Sequence, residues 1–322
     1  MKNFSFKMAG LLLAMILGGY GSASAQEANC DLNGDGSVDV ADVSYLISAM
    51  AGNTPSAEKN RLDENEDRET PGGQVDLGLP SKRLWADRNI GYTKDSKFGL
   101  YFAWGETSGY KGYIFDRPSK NSFDWANYQW MTEGEASKEY INKYQFPDDA
   151  DYGAIWYDEY GLYCGDGQFI LLPDDDAATK DWGAKWRMPT RMEIQELLDT
   201  TYTTQTWMEA ESYPGSGQYV WGCEFRGKNN TTRAIEEGTD FSTRAIFLPA
   251  CGSAEFKYVE YRDGQYEFPR GKYWCKEVYQ HDSSAAYILS INRRRGFERV
   301  PDNMLSWYDR YYGLSIRPVV TD

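Results

Sequence analysis

From residue 74 onward the apolar residues of this 322-residue chain come in short pieces cut by glycine and proline, and this spacing limits its fold most. VDLGLPSKRLWADRNIG (75–91) and KFGLYFAWGETSGY (97–110) leave room only for short strands and loops. GQYVWGCEFRG (217–227) and TRAIFLPACGS (243–253) read as two strands around a polar loop at 228–240. KYWCKEVYQ (272–280), AAYILSINRR (285–294) and YYGLSIRPVV (311–320) alternate well enough for three more. One helix is marked clearly. Thr190 and Glu193 make a capping box, Pro189 keeps the preceding segment extended, and Ile194, Leu197 and Leu198 form an apolar face. The predicted class is α+β: antiparallel strands, long loops and one or two helices.

The length suits about two domains. Lys and Arg number 34 against 49 Asp and Glu, a net charge of −15. That acidity argues against a nucleic-acid footprint and against an anionic membrane surface. A hydrophobic share of 41% supplies a core. Aromatics are abundant, at 25 Tyr, 14 Phe and 11 Trp, whereas His281 is the single histidine. Multi-histidine zinc sites are excluded, and a Ser-His-Asp triad would depend on that one residue, near Ser283 and Ser284.

Residues 1–25 read as a signal peptide. Lys2 and Lys7 precede an apolar run from Met8 to Leu17, and Ala23-Ser24-Ala25 forms an A-x-A cleavage site. The run falls short of the about 20 residues that a membrane span needs. Cleavage before Gln26 predicts an exported protein, secreted or held at the cell envelope. Export permits disulfides among Cys30, Cys164, Cys223, Cys251 and Cys275. The odd count leaves at least one thiol without a partner in the chain. Cys223, Cys251 and Cys275 lie in apparent strands and are the expected partners; buried free thiols are the alternative.

The segment DLNGDGSVDVAD (31–42) has the spacing of a calcium loop. Asp31, Asn33, Asp35, Asp39 and Asp42 place hard oxygens around one point, Ser37 offers its carbonyl, and Gly36 supplies the sharp turn. An apolar helical stripe follows through Val40, Val43, Leu46, Ile47 and Met50, closed by Gly52. Only five residues separate the loop from the cleavage site, too few for the leading helix of an EF-hand. The loop-then-helix order resembles one repeat of a dockerin, which implies bound Ca²⁺ and a cohesin-like docking partner. LDENEDRET (62–70) keeps Asp63, Asn65 and Asp67 in phase but has Arg68 in place of the turn glycine, so it reads as a relic or as linker. Residues 53–73 are a linker by composition.

The remaining segments resemble a known family. VDLGLPSKRLWADRNIG, FGLYFAWGETSGY, DWGAKWRMPTRMEIQELLD, IFLPACG and YYGLSIRPV, in this order, are similar to the Fibrobacter succinogenes major paralogous domain, over about residues 74–320. The WRMPT turn opening a helix, with a late strand beside the first, also resembles the C-type-lectin-like fold. The chain departs from the family at Tyr273-Trp274-Cys275-Lys276-Glu277 and in a long segment at 208–244. The resemblance transfers no catalytic residues.

Trp104, Glu106, Trp274 and Glu277 are the candidate ligand-binding residues: indole faces stack on sugar rings, and neighbouring carboxylates accept hydroxyl hydrogen bonds. Trp182, Trp186 and Trp307 are further aromatic candidates. Core packing is the competing reading for every Trp, most of all for Trp182 and Trp186, which flank the capped helix. Asp174, Asp175 and Asp176 suit either a second calcium site or a helix cap. Arg293, Arg294 and Arg295 suit an anion clasp or a solvated hairpin tip. The expected function is a non-catalytic binding protein for a glycan or a surface protein. The alternative is an extracellular polysaccharide-degrading enzyme of the O-glycosyl hydrolase class, working through a carboxylate pair. An oxidase using Cys251 and Cys275 is a third reading.

Overall fold

A computed structural model describes residues 72–93, 97–110, 123–145, 165–255, 258–259, 270–294 and 300–321. The segments expected to form a signal peptide, a calcium loop and a following helix, nearly all of the expected linker, Cys30, Cys164 and Arg295 lie outside the described residues. All the described residues belong to one contact-defined unit, Glu69–Asp322.

Its strands are β1 (Gln74–Asp76), β2 (Leu84–Ala86), β3 (Trp186–Arg187), β4 (Thr203–Glu211), β5 (Tyr219–Gly227), β6 (Ala245–Pro249), β7 (Ala254–Glu255), β8 (Tyr258–Val259), β9 (Arg270–Tyr279), β10 (Asp282–Asn292), β11 (Met304–Asp309) and β12 (Val319–Val320). Three α-helices are short: α1 (Ala177–Trp182), α2 (Arg191–Leu198) and α3 (Thr232–Glu237). The sheets run β1-β2-β12-β3, β4-β5-β6, β11-β10-β9 and β7-β8. Every strand pair within them is antiparallel. This is the predicted class at its coarse level, mostly antiparallel sheet with few helices.

The expected strands at 217–227, 243–253, 272–280 and 285–294 correspond to β5, β6, β9 and β10. The segment 311–320 yields only the two-residue β12, with Leu314 and Ser315 in isolated bridges to Phe102 and Tyr273. β4 and β11 were not foreseen, nor was α3, which occupies the polar loop at 228–240. Thr231 caps α3 by accepting from the Ala234 amide, and Gly238, at φ 62°, ends it in the left-handed region that favours glycine.

Strands β9 and β10 are buried on both faces, which is why they read as nearly continuous apolar runs. Tyr273, Cys275, Leu289 and Ile291 face a cluster shared with Ile194 and Leu197 of α2 and with Trp207, Phe225 and Leu248 of the β4-β5-β6 sheet. Trp274, Val278, Ala286 and Ile288 face the opposite cluster, with Trp104, Trp186 and Leu314. Segment 169–171 extends the sheet past β9: the Val278 amide donates to Phe169, the Leu171 amide donates to Lys276, and Ile170 bridges Glu277.

The disulfide expectation for three cysteines is corrected. Cys223, Cys251 and Cys275 are free and buried, each enclosed by the first cluster. Burial pushes the Cys223 thiol up to about 12 and raises Cys251 and Cys275 as well.

Candidate functional site

Trp104 and Trp274 do not offer ligand-stacking faces. Both are fully buried, because the alternation of β9 turns Trp274 into the second cluster and Trp104 packs there beside it. Each spends its indole N–H on the other's neighbourhood: Trp104 donates to the Cys275 carbonyl at 2.8 Å, and Trp274 to the Phe102 carbonyl at 2.7 Å. Trp182 and Trp186 also pack as core, edge to face at 5.1 Å. Glu106 is buried and accepts from the Gln129 amide at 2.9 Å. Glu277 accepts from the Arg191 amide, the first residue of α2, at 2.8 Å.

The acidic run resolves as helix capping. Asp176 caps α1 through the Ala178 and Thr179 amides and also accepts from Met188. Asp175 is taken by Lys143 at 2.6 Å and by the Tyr144 hydroxyl. Among the described residues no group of three or more His, Cys, Asp or Glu is placed to hold a metal ion. Arg293 and Arg294 belong to a hairpin stem, bridged to Pro301 and bonded to the Val300 carbonyl.

The residue that does reach solvent is Trp307, at 48% exposure on β11. It stacks on Tyr279 with ring centroids 5.2 Å apart and planes at 20°. Tyr279 in turn meets Tyr287 at 5.2 Å and His281 at 5.3 Å, both edge to face. The register explains the grouping. Tyr287 pairs with Trp307 across β10 and β11, so both leave the same face of the sheet. Arg191 enters from the start of α2. Its Nη1 donates to the Tyr287 hydroxyl at 3.1 Å and to the Gln280 side-chain oxygen at 3.0 Å, with the guanidinium 5.1 Å from the Tyr287 ring. Gln280 also shares a 2.7 Å hydrogen bond with His281. Met192, 60% exposed, follows Arg191 on the helix. An aromatic platform with a guanidinium at one end is therefore built from all three strands of the β11-β10-β9 sheet where the start of α2 packs on it.

Two carboxylates under this corner lie in contrasting environments. Burial lifts Glu277 above the usual carboxylate range, against the pull of the Arg191 amide and charge. Burial would raise Glu193 too, but the forked ion pair from Arg187, at 2.8 and 2.6 Å, and the Thr190 amide hold it below that range. The sequence pointed to Trp307 and Glu277 singly. Arg191, Tyr279, Gln280 and Tyr287 were missed as site residues, because only the register and the helix docking bring them together. No family model, curated protein or solved structure matches this chain.

Proposed function

We propose that the chain is an exported, non-catalytic binding protein whose Trp307 platform recognises a glycan or protein partner. The observation that carries this reading is the Trp307–Tyr279 stack: a large aromatic face left half-exposed while its ring packs on a neighbouring one. Rigid aromatic faces supply contact area at little entropic cost, and such residues dominate binding surfaces. Export, the dockerin-like Ca²⁺ module at 31–42 and membership of the Fibrobacter succinogenes major paralogous domain family are parts of the same proposal and rest on sequence. The C-type-lectin-like reading of the fold is supported by two features. The capped helix α2 opens right after the WRMPT turn, and β12 enters the first sheet beside β2.

The full chain, screened on a glycan array and against surface-protein extracts, tests the platform. Trp307→Ala is expected to weaken any ligand by tenfold or more, equivalent to about 1.4 kcal/mol. Unchanged binding would remove the platform from the reading.

The hydrolase alternative draws on one observation, the opposite displacement of Glu277 and Glu193, since catalytic carboxylate pairs are separated in this way. Against it, both acids spend oxygens on backbone amides. Product release from a polysaccharide, abolished by Glu277→Gln in a folded protein, would favour the enzyme.

A further inference from the structure

We propose that the Arg191–Trp307 corner binds a carboxylated glycan, with a sugar ring on Trp307 and a sugar carboxylate on the outer edge of Arg191. This deepens the binding-protein reading and rests on it.

Elsewhere in the fold, arginines pair with carboxylates or donate to backbone carbonyls. Arg88 closes on Asp87, Arg187 on Glu193, Arg226 on Glu224 and Arg233 on Asp76. Arg310 and Arg317 are fully buried, and backbone carbonyls fill much of their donor forks. Arg191 does neither. Its side chain is half-buried and is steered by two neutral acceptors, Tyr287 and Gln280, both on Nη1. Nε and Nη2 donate to no described residue. In a chain with 49 acids and 34 basic residues, a guanidinium this well oriented that forms no salt bridge among the described residues is a departure, although its charge also acts on Glu277.

The nearest acids do not take the role. Glu277 is turned to the backbone amide of Arg191, and Glu193 is engaged by Arg187 and Arg83. An arginine fork held at one nitrogen leaves planar donors for a second, bidentate acceptor, and a carboxylate matches that geometry. The chain of contacts from the guanidinium over Tyr287 to Tyr279 and Trp307 then joins the charge to an apolar face. A neutral sugar would use the platform and leave the charge idle. An anionic sugar uses both.

Calorimetry on the full chain tests this with polygalacturonate, its fully methyl-esterified form, alginate and hyaluronan. At least one acidic polymer is expected to bind and to weaken as salt rises. If polygalacturonate is that polymer, esterification should cost at least tenfold. Arg191→Gln should cost an acidic polymer at least tenfold, and Gln280→Ala, which removes one of the two acceptors that orient the guanidinium and leaves the helix untouched, should cost it severalfold. Near-ultraviolet circular dichroism checks that each variant keeps its packing. Equal binding of acid and ester, an Arg191→Gln protein that binds acidic polymer unchanged, or no binding to any acidic polymer would overturn the inference. A neutral glycan or a protein ligand that still needs Trp307 would overturn the carboxylate assignment while leaving the platform reading standing. Ligands that ignore Trp307→Ala would end both.

Discussion

Arg310, Trp104 and Trp274 show how residue chemistry that resembles a binding site can instead be internal structure. Arg310 donates Nε to the Tyr128 hydroxyl at 2.9 Å and its terminal nitrogens to the carbonyls of Ser283, Tyr144 and Lys143, while lying 4.7 Å from the Trp104 ring. A buried charge is tolerated only when its donors are filled in this way. Arg310→Met is expected to strip those acceptors and to cost about 3 kcal/mol or more, read as a lowered urea midpoint. Trp274→Phe removes the donor to Phe102 and should cost about 1–3 kcal/mol without altering ligand affinity. A selective loss of affinity in that variant would restore Trp274 to the site. The buried thiols give a chemical check. With burial raising their pKa values, Cys223, Cys251 and Cys275 should resist alkylation at pH 8 until denaturant is added, as mapped by mass spectrometry.

Among the elements, α2 was the most legible. Its capping box is made as the sequence spelled it: Thr190 accepts from the Glu193 amide, and the Glu193 carboxylate accepts from the Thr190 amide. Thr190→Ala should cost about 1 kcal/mol. The pH response follows from the two acids at its start. The folded state holds Glu193 below its unfolded value, so its contribution is present above the ordinary carboxylate range and fades as pH falls through it. Glu193→Gln should therefore lose more stability at pH 7 than at pH 3. Glu277 is raised, so the folded state bears a cost that grows as pH climbs past that range. Glu277→Gln should gain on the parent protein between pH 4 and pH 7, the reverse trend, in denaturation curves across that span. β4 and β11 were obscure because neither alternates cleanly in burial: β4 is fully buried only at Thr203 and Trp207, and β11 has no fully buried residue and exposes Met304 and Trp307. Without an apolar-polar alternation the period of a strand does not show in its sequence. The calcium loop proposed at 31–42 predicts that calorimetry on the full chain finds a Ca²⁺ site that Asp35→Ala abolishes.

At the scale of the whole molecule, the final strand closes the fold. Val319 pairs with Trp85 of β2 on one side and Arg187 of β3 on the other, and it is fully buried. Deleting residues 318–322 should cut β3 from its sheet, leave β2 paired with β1 alone and abolish cooperative unfolding in urea. A truncated chain with a sharp transition would show that the sheet forms without β12. The sequence by itself determined the class of the fold, the capped helix, four of the longer strands and the identity of the aromatic and acidic candidates, because these depend on periods and caps within about ten residues. Which tryptophans are core and which is surface depended on something else. Trp104 and Trp274 each follow the same local logic as Trp307, but cross-strand register and the packing of α2 bury the first two and leave the third facing water. The same long-range packing set Arg191 beside Tyr287 across 96 positions of sequence, a juxtaposition that no local pattern encodes.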